Sequence, residues 1–103
     1  MVMLKEIQWT ELAESDLKQL LEYLSQHWNY QIAFKFIEKL DKTIVHIAKY
    51  PKLYPLIHQE FKVRKCVLTE QNSLFYKFDG QVIYILRIFD TRQNPDHLSL
   101  ELD

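Results

Sequence analysis

Residues 11–50 carry two apolar stripes at helical spacing with only a short break between them, and this feature limits the fold most. Ala13, Leu17, Leu20, Leu21, Leu24 and Trp28 recur every three or four residues, as do Ala33, Phe36, Ile37, Leu40, Ile44, Ile47 and Ala48. That period puts each set on one side of a helix. Thr10 is placed to cap the first helix, at about 11–27, with Glu11 and Glu14 in its first turn favouring the dipole. Asn29 is placed to cap the second. Pro51 ends it, because the residue before a proline is pushed out of the α region. The break near 27–30 is too short for anything but an antiparallel helical hairpin.

Around the hairpin the apolar period changes to two. Leu4–Trp9 reads as a short strand, with Ile7 and Trp9 alternating with Glu6 and Gln8. Pro51–Glu60 reads as a loop, Phe61–Thr69 as a strand and Glu70–Asn72 as a turn. Ser73–Phe78 and Val82–Phe89 are two further strands, joined by Asp79-Gly80, the signature of a type I′ turn. In the tail, Leu98, Leu100 and Leu102 alternate as an edge strand would. The predicted class is α+β, in the order β-α-α-β-β-β. Helices bury their stripes only against another layer, so the hairpin must pack on one face of a twisted, antiparallel-rich sheet. A chain of 103 residues makes one domain, 1–103.

The hairpin register carries a second expectation. A two-residue loop at Asp79-Gly80 would pair Phe78 with Gln81 and Tyr76 with Ile83. One sheet face would then hold Leu74, Tyr76, Phe78, Ile83, Ile85, Arg87 and Phe89, and the other Phe75, Lys77, Val82, Tyr84, Leu86 and Ile88. Both are largely apolar, whereas a sheet wet on one side should alternate more cleanly. One face is therefore expected to lie open for a partner protein, or for a second copy of the chain when it is alone.

Composition narrows the function classes. Cys66 is the sole cysteine, so it forms no internal disulfide and no thiolate metal site by itself. His27, His46 and His58 lack metal-ligand spacing, and the single glycine rules out a phosphate-cradling loop. No metal and no cofactor are expected. Met-Val-Met-Leu-Lys-Glu reaches a charge too soon for a signal peptide, and no apolar run approaches the roughly 20 residues that span a bilayer. A cytoplasmic protein with no membrane contact is expected. Net charge is −1, which argues against a broad grip on nucleic acid. Residues 61–95 nevertheless carry +3, so any polyanion contact is expected from the strand half.

Three stretches together resemble a known family over nearly the whole chain. The first is Ala13-x-x-Asp16-Leu17-x-x-Leu20-x-x-Tyr23-Leu24, followed by Ala33-x-x-Phe36 and Leu40. The second is Val63-Arg64-Lys65-Cys66-Val67 with Leu74-Phe75-Tyr76-Lys77. The third is Val82-Ile83-Tyr84-Ile85-Leu86-Arg87-Ile88-Phe89-Asp90-Thr91-Arg92-Gln93-Asn94-Pro95. In this order they resemble the RelE/ParE superfamily of bacterial toxins, and the last is similar to the end of ParE-like members. The resemblance implies a helical hairpin on a twisted sheet and a cognate antitoxin that wraps around the toxin. It also implies one of two targets. ParE-like toxins block DNA gyrase, while RelE-like toxins cut messenger RNA on the ribosome without a metal. A toxin-fold protein that only binds its partner is a third reading.

Cutting RNA needs a base for the 2′-hydroxyl, a cation for the phosphorane and an acid for the leaving oxygen. Arg64, Lys65, Lys77, Arg92 and His97 are the candidates, with Tyr76 as a polar aromatic. Arg92 resembles a strand-end arginine of those nucleases. Asn72 and Leu74 stand where they tend to place a second arginine, and Leu98 and Leu100 where they carry a late tyrosine. The ParE-like reading is therefore preferred. Its expected antitoxin- or target-binding residues are Tyr76, Phe78, Ile83, Arg87, Phe89 and Arg92. Arg87 is singled out because it lies inside an apolar strand and needs a partner there: either an acid of the chain, such as Asp90 or a glutamate of the first helix, or the antitoxin. Asp16, beside Lys18, reads as a solvated side chain, and Trp9 and Trp28 as core or hairpin anchors.

Overall fold

The computed structural model describes residues 5–90. Its elements are β1 (Glu6–Trp9), α1 (Glu11–His27), α2 (Tyr30–Lys49), β2 (Leu56–His58), β3 (Val63–Val67), β4 (Asn72–Asp79) and β5 (Val82–Asp90). Both predicted caps form: Thr10 Oγ1 accepts from the Ala13 amide at 3.1 Å, and Asn29 Oδ1 from the Ile32 amide at 2.9 Å. The five strands make one sheet in the order β1-β5-β4-β3-β2, with β1 parallel to β5 and every other pair antiparallel. The expected α+β hairpin-on-sheet architecture is what the chain adopts. The strand β2 falls inside the stretch read as a loop. It is three residues long, too short for an alternation to register. The predicted tail strand lies outside the described residues.

One face of the sheet packs under the helices. Ala13 of α1 and Phe36, Leu40 and Ile47 of α2 meet Cys66, Leu74, Tyr76, Ile83, Ile85 and Ile88. Fully burying an aliphatic side chain such as Ile47 or Ile85 stabilises the fold by about 1.5–3 kcal/mol over leaving it wet. Trp9 packs against this core, but Trp28, expected as an anchor, is 67% exposed. It stands at the α1 C-cap, where the stripe has already turned away from the sheet.

The hairpin register departs from expectation in two ways. Asp79 pairs with Val82, so the two-residue loop is Gly80-Gln81. Gly80 at its first position has φ +57° and Gln81 does not share the positive φ, the signature of a type II′ turn. Further along, Tyr76 pairs with Ile85 but Phe75 with Arg87, leaving Leu86 as the extra residue of a β-bulge. A bulge inverts the alternation beyond it. Ile88 thereby joins the helix-side core, while Phe89 joins Val63, Phe75 and Leu86 on the opposite face. Phe89 therefore does not share a face with Ile83, as the regular register required.

The expected open face is also not found among the described residues. Val63, Phe75, Leu86 and Phe89 are 0–7% exposed, and Tyr76 and Ile83 are fully buried under the helices. The chain buries both apolar faces, so Ile83, Tyr76 and Phe89 offer no ready-made surface to an antitoxin or to a second copy.

Candidate functional site

β5 outruns β1. The parallel pairing stops at Trp9–Ile85, and from there the β5 backbone needs other partners. The chain supplies them from the start of α1. The Thr10 amide donates to the Ile85 carbonyl at 3.1 Å, and the Thr10 hydroxyl donates to the Leu86 carbonyl at 2.9 Å. One turn later the Asp16 carboxylate accepts from the Ile88 amide at 3.1 Å. The same carboxylate takes the guanidinium of Arg87 in a two-point grip, Nε to Oδ2 at 2.7 Å and Nη2 to Oδ1 at 3.0 Å. Both side chains are 15% exposed. A fork-to-carboxylate pair of this geometry fixes direction as well as charge. Asp16 was readable as more than a solvated acid: it lies three residues after Ala13 and four before Leu20, on the buried stripe of α1.

The ion pair forms one wall of a cleft of about 410 Å³ between α1 and the end of β5. Tyr23, Asn72, Phe89 and Asp90 also line it. Its mixed lining suits recognition of a polar side chain or backbone.

The nuclease candidates among the described residues divide between the two faces of the sheet, Arg64 on the helix side and Lys65 and Lys77 on the other. Arg64 pairs across with Tyr76 on the helix side of the sheet, whereas Lys65 pairs with Phe75 on the other. Arg64 Nη1 donates to the carbonyls of Lys52 and Tyr54, at 3.1 and 2.8 Å, and so pins the segment between α2 and β2. The Tyr76 hydroxyl donates to the Pro51 carbonyl at 2.7 Å and pins the same segment. Lys77 lies over the Tyr84 ring, 5.8 Å from its centroid. Phe78 is half-buried, with Lys5 and Arg64 over its ring. Arg92 and His97 lie outside the described residues. No group of His, Cys, Asp or Glu that could hold a metal occurs among the described residues.

Burial pushes the Tyr76 hydroxyl well above the usual phenol range, against a smaller opposing pull from Arg64. Burial likewise raises the Cys66 thiol and the Tyr54 hydroxyl. A phenol so shifted holds its proton and serves as a structural donor near neutral pH. The unfolded chain would release these three protons at ordinary values, and the folded chain only at higher pH. The contribution is thus complete below the unfolded values and is lost as pH rises. The melting temperature is expected to fall progressively above about pH 9, and Tyr76→Phe to flatten that fall. A melting temperature independent of pH between about 8 and 11 would contradict the assignment.

Comparison with known proteins follows the same line. Residues 7–95 match the family described as ParE toxin of type II toxin–antitoxin system, parDE. No curated protein matches the sequence. Among solved structures, a chromosomal ParDE TA system from P. aeruginosa superposes with a TM-score of 0.70 at 19% identity, covering 84% of this chain and 96% of that one. A YoeB/ParE toxin from Agrobacterium tumefaciens superposes at 0.63 and 13% identity, covering 82% and 97%. A copper-bound mutant toxin from Helicobacter pylori does so at 0.61 and 19%, covering 86% and 96%.

Proposed function

The chain belongs to the ParE toxin family of type II toxin–antitoxin systems, and we propose that it arrests bacterial growth by binding DNA gyrase and is neutralised by a cognate antitoxin. Gyrase as target follows from the ParE-like end of the sequence, Arg87-Ile88-Phe89-Asp90-Thr91-Arg92-Gln93-Asn94-Pro95. The observation that carries binding over cleavage is the separation of the basic side chains. Arg64 is committed to two backbone carbonyls on one face of the sheet, and Lys65 and Lys77 stand on the other, with Lys77 over the Tyr84 ring. An RNA-cutting site needs such groups to converge on one reacting phosphate.

The contact surface proposed for the target is the cleft beside Arg87, and Arg92, two residues further along the sequence than the described strand, is proposed as a further contact residue. Arg87 keeps part of its surface accessible for it, unlike Ile83, whereas the half-buried Phe78 lies at the other end of β4, outside the cleft. Such a toxin works in the cytoplasm, where its target is. No helix among the described residues is long and apolar enough to cross a membrane.

Induced expression without a partner is expected to stop growth, and co-expression of the antitoxin from the adjacent reading frame to restore it. Colony counts before and after induction measure both. Normal growth while folded protein accumulates would leave only a partner-binding module.

A further inference from the structure

Net positive charge lies in the strand half of the sequence, yet two of its cations, Arg64 and Arg87, are engaged by carbonyls and by Asp16. A more accessible cationic surface lies on α2. Lys35, Lys39, Lys42, His46 and Lys49 follow one another at alternating steps of four and three residues. At that spacing they form a single row, about 20 Å long at 1.5 Å per residue. All five are exposed. Lys35, Lys39 and Lys42 line a shallow hollow of about 400 Å³ with Glu38. None of the four lysines forms an ion pair among the described residues. Like charges three and four apart on a helix repel, so the row costs the isolated fold a little stability.

The adjacent row is Phe34, Glu38, Asp41 and Val45, acidic in the middle and apolar at its two ends. Phe34 precedes Lys35 and Val45 precedes His46, and they are 56% and 51% exposed. We propose that this side of α2 docks an acidic, amphipathic helical segment of the antitoxin. Such a helix presents carboxylates at the same three-four spacing to the lysines and apolar side chains to Phe34 and Val45. A phosphate backbone would neutralise the lysines but leave Phe34 and Val45 wet. Complementary charge also speeds encounter, which suits the capture of a toxin as it is made. This rests on the antitoxin reading above.

The test is calorimetric titration of the full-length antitoxin from the adjacent reading frame into the full chain. The variants are the triple Lys35→Glu, Lys39→Glu, Lys42→Glu, the single Phe34→Ala, and Lys18→Glu on α1 as control. The triple is expected to melt like wild type, since its lysines are exposed and unpaired. It should bind at least about tenfold more weakly at low salt, because three cations that face carboxylates become three like charges. The wild-type affinity should fall with added salt and the triple's should not. Phe34→Ala should lose affinity without changing the salt dependence, and Lys18→Glu should match wild type. Wild-type affinity in the triple would overturn the location while leaving the antitoxin reading intact. Loss of binding to a short DNA duplex in the triple, with antitoxin binding unchanged, would assign the row to nucleic acid instead. No binding by wild type would end the antitoxin reading and this one with it.

Discussion

Changing Asp16 to alanine is expected to lower the stability of the fold by about 3 kcal/mol, because it removes the two-point carboxylate partner of Arg87 Nε and Nη2 in a site that is mostly dry. It also takes away the acceptor of the Ile88 amide on the edge of β5. For a domain of this size the loss corresponds to a fall of about 15 °C in melting temperature. Arg87→Ala should cost less, since Asp16 keeps the Ile88 amide and some contact with water. The double change Asp16→Leu with Arg87→Met should recover most of the loss, as apolar replacement of an ion pair often does. Thermal melts of the three variants decide it. A wild-type melting temperature for Asp16→Ala would mean that the pair is solvated and that the end of β5 is held by something else. The same argument changes the meaning of an Arg87 variant in binding work. Its effect on an antitoxin must be read after its effect on the fold, whereas the sequence alone suggested a contact that could be removed without disturbing the fold.

The helical hairpin was legible because its signals are local. The three-four stripes, the Thr10 and Asn29 caps and Pro51 each act within a few residues. The sheet was legible in kind but not in register. A bulge at Leu86 depends on how two strands meet across the sheet, and nothing in the run Ile85-Leu86-Arg87-Ile88 marks the extra residue. That one residue moves Ile88 under the helices and Phe89 to the far face, and so reassigns the residues expected to meet a partner. The burial of Val63, Phe75, Leu86 and Phe89 could not be read from the sequence either. An apolar face can be counted from a pattern, but whether the chain covers it is a property of the assembled fold.

At the site, the need of Arg87 for a partner could be read from its apolar strand, and an acid of the first helix was among the candidates. That the acid is Asp16 rather than a glutamate follows from the stripe of α1, where position 16 shares the buried side with Ala13 and Leu20. The lysine row of α2 was missed for a different reason. It lies within a helix whose net charge is small, because Glu38 and Asp41 offset two of the lysines in the sum. Only the helical spacing separates the row from its neighbours.

On the proposed function, the chain acts by occupying a protein target and not by cutting RNA. Gyrase supercoiling of relaxed plasmid, followed with increasing amounts of the purified chain, tests this most directly. Supercoiling is expected to be lost in proportion to the toxin added and to return when excess antitoxin is supplied. Arg92→Ala should weaken the inhibition if the surface beside β5 is the contact. Unimpaired supercoiling, together with codon-dependent cuts in ribosome-bound message that disappear in Arg92→Ala, would contradict the account and establish the nuclease.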